Sequence, residues 1–111
     1  MERKGFETAK VFRLGDSIAC AAGAVVSKTI IQAPTGTVTL FAFDKGQGLS
    51  EHTAPFDALV QVVEGKGSFI IGGKSHTLQP GEIIIMPGGV PHAVEAPEPF
   101  KFLLTMIRVQ S

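Results

Sequence analysis

Three histidines, His52, His76 and His92, are the side chains of this sequence best suited to chemistry near neutral pH. An imidazole titrates close to neutrality and can act as acid, base or metal ligand. His52 sits in SEHTAPFDALVQVV, on the approach to an alternating apolar stretch, and His92 follows in PGGVPHAVEA. A histidine at the mouth of a β-rich core is a candidate metal ligand. A divalent ion, however, wants about four donors and a carboxylate to offset its charge. The inward positions after His52 are the alanines Ala54 and Ala58, and Asp57 is one residue out of step with them. In a strand that offset points a side chain to the opposite face. His52 therefore belongs either to a ligand set with members missing or to a site that needs no metal.

The other chemically capable residues read as structural. His76 shares parity with Leu78 in KSHTL and lies beside a hairpin. Glu51 and Asp57 read as solvated strand-edge acids, and Glu64 and Glu82 as surface residues at strand ends. Met86 and Met106 fall on apolar runs, where methionine is usually core filler. No glycine-rich turn opens a helix, so a phosphate-binding loop is not expected.

A framework must position these side chains, and the bulk numbers bound it. The chain has 111 residues, the size of a single domain, 1–111. It is 44% hydrophobic with 13 glycines and seven prolines, which suits a packed core built from many short strands. Lysine plus arginine and aspartate plus glutamate number 10 each, so no basic field draws nucleic acid or anionic membranes. Cys20 is the only cysteine and makes neither an intrachain disulfide nor a cysteine-based zinc site. A reduced, cytoplasmic setting is expected. The apolar stretch 17–26 is far shorter than the ~20 residues that span a bilayer and reads as ordinary structure.

Strand signals follow closely. VVSKTII (25–31) and TVTLFAF (37–43) flank a Pro34–Gly36 turn. ALVQVVEG (58–65) alternates, with Ala58, Val60 and Val62 on one face. SFIIGGKSHTL (68–78) is a hairpin about Gly72-Gly73. EIIIMP (82–87) is a continuous apolar run, expected to be a strand buried on both faces. FKFLLTMIRV (100–109) puts Phe100, Phe102, Leu104 and Met106 on one face. The fold class is all-β, a sandwich or small barrel of antiparallel strands.

At seven anchor positions the sequence resembles the cupin superfamily. Its first motif runs from Gly46 through His52 to Gly65, and its second places Gly81, Pro87, Gly89 and His92 within 81–96. Fifteen residues separate the motifs, as in short single-domain members. The resemblance implies a small β-barrel, or jelly roll, of two antiparallel sheets. It also implies a four-ligand metal site of three histidines and one glutamate, from which this chain departs. The second histidine slot is Ala54, the glutamate slot Ala58 and the asparagine slot Ala96.

Parity then describes a pocket whose wall is Ala54, Ala58, Val60, Val62 and Val94, with His52 and His92 as its polar points. Such a pocket suits a small molecule presenting a carboxylate, phenol or enol oxygen. The expected function is small-molecule binding at a degenerate metal site, with at most a weakly held divalent transition metal on His52 and His92. The alternative is a metal-dependent dioxygenase, isomerase or decarboxylase in which water or substrate completes the metal shell. A third reading is a metal-free isomerase or lyase using a histidine as acid and base. Small cupins commonly pair, and the apolar outer faces of 25–31 and 82–87 together with zero net charge predict a homodimer.

Overall fold

A computed structural model describes residues 5–108 of the chain. Its strands are β1 (Val25–Ala33), β2 (Gly36–Phe43), β3 (Gly48–His52), β4 (Ala58–Glu64), β5 (Gly67–Ile71), β6 (Lys74–Leu78), β7 (Ile83–Met86), β8 (His92–Glu95) and β9 (Phe100–Ile107). They form two antiparallel sheets, ordered β1-β2-β9-β4-β7 and β3-β8-β5-β6. Leu14–Asp16 forms a single 3₁₀ turn. No helix among the described residues is long and apolar enough to cross a membrane.

The sheets close on a shared core. Ala58, Val60 and Val62 are buried while Leu59, Gln61 and Glu64 are exposed, so β4 follows the alternation of its sequence. Phe43, Phe100 and Phe102 from the larger sheet meet Phe69 and Val94 from the smaller one. The aromatic rings lock this end of the barrel. Phe100 and Phe102 stack at 5.3 Å, and Phe69 stands edge-on to Phe102 at 5.3 Å. Edge-to-face and offset-stacked rings add to the stabilisation from buried area.

Two connections fix that arrangement. The β5–β6 hairpin turns through Gly72 (φ 57°) and Gly73 (φ 83°), the positive-φ pair that a tight two-residue turn requires. Gly65 has φ 72°, and a Cβ there would collide with the Pro99 carbonyl and the Phe100 backbone. The close of the first motif is thus a glycine because β9 begins directly against it.

One expectation is overturned. The run 82–87 is not buried on both faces: β7 pairs only with β4 at the end of its sheet, and Ile83 and Ile85 are 60% and 58% exposed. Ile84 and Met86 point inward, and among the described residues no layer covers the outer face of this strand. Strands β3 and β8, which composition did not mark, occupy the motif segments. Val109, the last residue of the expected final strand, lies outside the described residues.

Candidate functional site

Strands β3 and β8 pair antiparallel, and His52 lies directly opposite His92. Residues opposite one another share a sheet face, with their side chains in reach. The register shifts between Leu49 and His52, and this irregularity sets the His52 ring beside that of His92. The rings meet at 71° with centroids 4.3 Å apart, and their Nε2 atoms are 3.1 Å apart.

The opposite nitrogens decide the protonation. His52 Nδ1 lies 2.9 Å from the Ser50 carbonyl oxygen, and His92 Nδ1 lies 3.3 Å from that of Val90. A carbonyl only accepts, so each of these contacts is a hydrogen bond where that Nδ1 carries the hydrogen. A neutral pair has two ring hydrogens for three contacts: with both on Nδ1 the two Nε2 atoms are bare, and with one between the Nε2 atoms, which lie at hydrogen-bond distance, one Nδ1 lone pair faces its carbonyl. Two lone pairs 3.1 Å apart repel unless something electron-poor is shared between them. Burial pushes the His92 pKa below its usual value; its bond to Val90 opposes this, and the nearby His52 adds to the lowering.

The pair borders a cavity of about 190 Å³ that reaches down to the edge of the phenylalanine cluster at Phe41 and Phe102. Ala54, Ala58 and Val94 line it, as parity suggested. Phe41, Phe102, Leu104, Met86 and Met106 supply the wall from the larger sheet, and Leu49 completes it from β3. Val60 and Val62 do not line it; both are fully buried beneath, packed into the core. Each step of two residues along β4 carries the inward positions about 7 Å further down the barrel. Alternation gives a residue's face but not its depth, which is why Val60 was misplaced. Phe41 and Leu104 were missed for the same reason, although their inward parity was available in the sequence.

Asp57 has a different task. Its Oδ1 accepts from the Gly88 backbone N–H at 2.9 Å, and Gly89 N–H donates to the Ala54 carbonyl at 2.8 Å. Gly89 has φ 80°, which a glycine adopts freely. These bonds clip the Ala54 segment to the Pro87–Gly89 loop and hold both beside the cavity. Asp57 itself is outside the cavity lining. His76 is half-buried opposite Phe69 on β6, also away from the cavity, and Glu51 is exposed.

The cupin domain family model matches residues 39–106, the stretch that contains both histidines and the cavity wall. This chain belongs to the cupin family. A conserved protein of unknown function from Streptococcus pyogenes matches 100% of this cupin over 98% of its own length, at 31% identity and a TM-score of 0.92. A cupin 2 conserved barrel domain protein from Leptotrichia buccalis is 38% identical over 87% of the chain (TM-score 0.85), which spans 47% of that protein. A salicylate 1,2-dioxygenase from Pseudaminobacter salicylatoxidans shares the fold at 18% identity and a TM-score of 0.71, over 84% of this chain and 29% of its own. No curated protein matches the sequence.

The four-ligand site that the cupin resemblance implies makes the donor set the question. Two nitrogens 3.1 Å apart can both reach one ion at the ~2.0–2.1 Å usual for imidazole ligation. Beyond that the set fails. Ala54 and Ala58 carry no donor, and among the described residues no carboxylate lines the cavity. Among the described residues no three histidine, cysteine or acidic side chains are grouped to hold a metal. The side chains supply half of a tetrahedral shell with nothing to offset the ion's charge, and do not fit a resident metal.

Proposed function

We propose that this cupin binds a small organic molecule in the open end of its barrel, against His52 and His92, without a tightly held metal. One observation carries the reading: two Nε2 atoms converge to 3.1 Å at the edge of an otherwise apolar cavity of about 190 Å³. A mostly apolar hollow with a few convergent polar groups is the usual make-up of a small-ligand site. At ~30 Å³ per water the space equals roughly six waters, which suits a compact ligand.

A metal-dependent enzyme is the second reading, favoured by the 3.1 Å separation of the two nitrogens. It requires water or substrate to supply at least two further donors. Elemental analysis separates the two. The first reading expects well under one transition metal per chain and ready removal by chelator with little change in unfolding temperature. One ion per chain that resists chelator contradicts it and supports the enzyme. A small-molecule screen on chelator-treated protein then looks for ligands that move the NMR methyl signals of Met86, Met106 and Leu104. Ligands that leave those methyls still while binding elsewhere count against the cavity.

We also infer a homodimer paired through the outer face of the larger sheet. Ile31, Val38, Thr105, Leu59 and Ile85 are successive cross-strand partners, so they form one row across all five strands. The row carries no charge, and Ile31, Leu59 and Ile85 are exposed. An uncharged apolar row complements itself in a two-fold pairing.

A further inference from the structure

The hydrogen-bond arrangement of the histidine pair narrows the ligand's chemistry, on the reading that the cavity is a binding site. Both Nδ1 atoms lie against backbone carbonyls, at Ser50 and Val90, and the tautomer that satisfies both carbonyls puts the hydrogens on Nδ1 and leaves both Nε2 atoms bare. The cavity therefore meets two acceptors and no donor from the pair. A ligand that brings only acceptors gains nothing there and leaves the opposed lone pairs in place. A useful ligand must bring a hydrogen.

We infer that the ligand is a small weak acid, a carboxylic acid or an enol on a compact apolar body. Its O–H donates to one Nε2. If the proton crosses, the O–H electron pair stays on the ligand oxygen and the proton bonds to that Nε2, from which it also faces the other nitrogen. Either way the two lone pairs no longer oppose each other. The buried complex also stays neutral overall, since an anionic oxygen and an imidazolium form together. An isolated charge in an apolar cavity would be costly.

The alternatives fail on the same grounds. An ammonium ion brings hydrogens, but its charge would enter a cavity lined by no carboxylate among the described residues. An ester or ether of the same shape brings no hydrogen. An alcohol brings one but gives it up far less readily than an acid. The remainder of the lining is apolar, with the Phe41 and Phe102 rings stacked 5.0 Å apart on one side, which favours a ring or short branched chain as the body.

Calorimetric titration of the full chain, chelator-treated and near pH 7, tests this with benzoate, benzyl alcohol, methyl benzoate and benzylamine. At that pH benzoate is ionised in solution, so its binding draws one proton from solvent onto the contact between its oxygen and Nε2. Benzoate should bind at least tenfold more tightly than each of the others. His52→Ala should remove that preference, and the exposure of His52 makes it the substitution least disruptive to folding. His92→Gln serves if that variant is unfolded. Ala58→Leu, which fills the cavity, should abolish binding of all four compounds. Methyl benzoate or benzylamine binding as tightly as benzoate overturns the acid assignment and leaves the cavity a binding site. Benzoate binding only after a transition metal is restored also overturns it. If none of the four binds, the acid assignment fails, and the screen of the cavity decides separately whether it binds anything.

Discussion

His92 is buried while His52 is exposed, although their rings touch. Burial lowers the pKa of His92 in the fold, so the unfolded chain, where histidine titrates near 6.5, binds its proton more readily. The sign follows from linkage: stability is fully present above about pH 6.5 and is lost as pH falls through and below that value. Unfolding temperature should drop on acidification from neutrality, and His92→Gln should flatten that dependence; an unchanged slope in the variant places the acid sensitivity elsewhere. The two alanines permit a stronger test at this scale. Ala54 and Ala58 line the cavity that the histidines border, so Ala54→His with Ala58→Glu adds two donors directed at the same space. Affinity for Mn²⁺ or Ni²⁺ should rise at least a hundredfold, roughly 2.8 kcal/mol, as read by calorimetry. Unchanged affinity in a folded double variant means that the four side chains do not converge. The pair itself was legible in the sequence because glycines, a proline and histidines recur at fixed spacing. The 3.1 Å contact and the carbonyls behind it were not, because they depend on a register shift that spacing does not encode.

At the scale of elements, the site hangs on a loop and two short strands more than on the barrel's long strands. Asp57 ties its segment to Gly88, and Gly89 ties back to Ala54, so two hydrogen bonds join the two loops. Asp57→Ala removes one charge-assisted bond and should cost about 1 kcal/mol, measured by urea denaturation. It should weaken ligand binding as well, since Ala54 loses its fixed place; a stability loss with unaltered binding would make the clip irrelevant to the cavity. Composition recognised the long strands because their β-branched and phenylalanine residues alternate. It passed over β3 (GLSEH) and β8 (HAVE), which are short and carry polar and small residues. The run IIIM was legible as a strand but not as an edge. Three consecutive isoleucines look the same whether the outer face is covered by a neighbour or left open, and only the strand order distinguishes the two.

At the scale of the whole molecule, the outer face of the larger sheet is covered in one part and open in another. Leu14, Ile18 and Cys20 lie over Leu40, Ala42, Val63 and Leu103, sealing part of the larger sheet with the N-terminal segment. Lys101 fastens that cover, pairing with Glu64 at 2.6 Å and donating to the Gly15 carbonyl at 2.6 Å. Beyond it, no described residue covers the apolar row that ends at Ile85. Exposed contiguous apolar surface of this kind marks interaction sites in soluble proteins. Light scattering should give twice the chain mass of 11.7 kDa. Leu59→Lys with Ile85→Lys should return the monomer without unfolding it, because both side chains point outward. A wild-type monomer at micromolar concentration, or a double variant that stays dimeric, contradicts pairing through this face.

The central claim is that His52 and His92 present two bare nitrogens to a ligand, and nitrogen NMR of the imidazole rings reads those nitrogens directly. In chelator-treated, ¹⁵N-histidine-labelled protein near pH 7.5, His52 and His92 should both be protonated at Nδ1, with no hydrogen fixed at either Nε2. Adding benzoate should shift both Nε2 resonances together while the Nδ1 resonances hardly move. A static Nε2–H on one ring with a bare Nδ1 turned to its carbonyl would contradict the account, as would Nε2 signals indifferent to every ligand that fills the cavity.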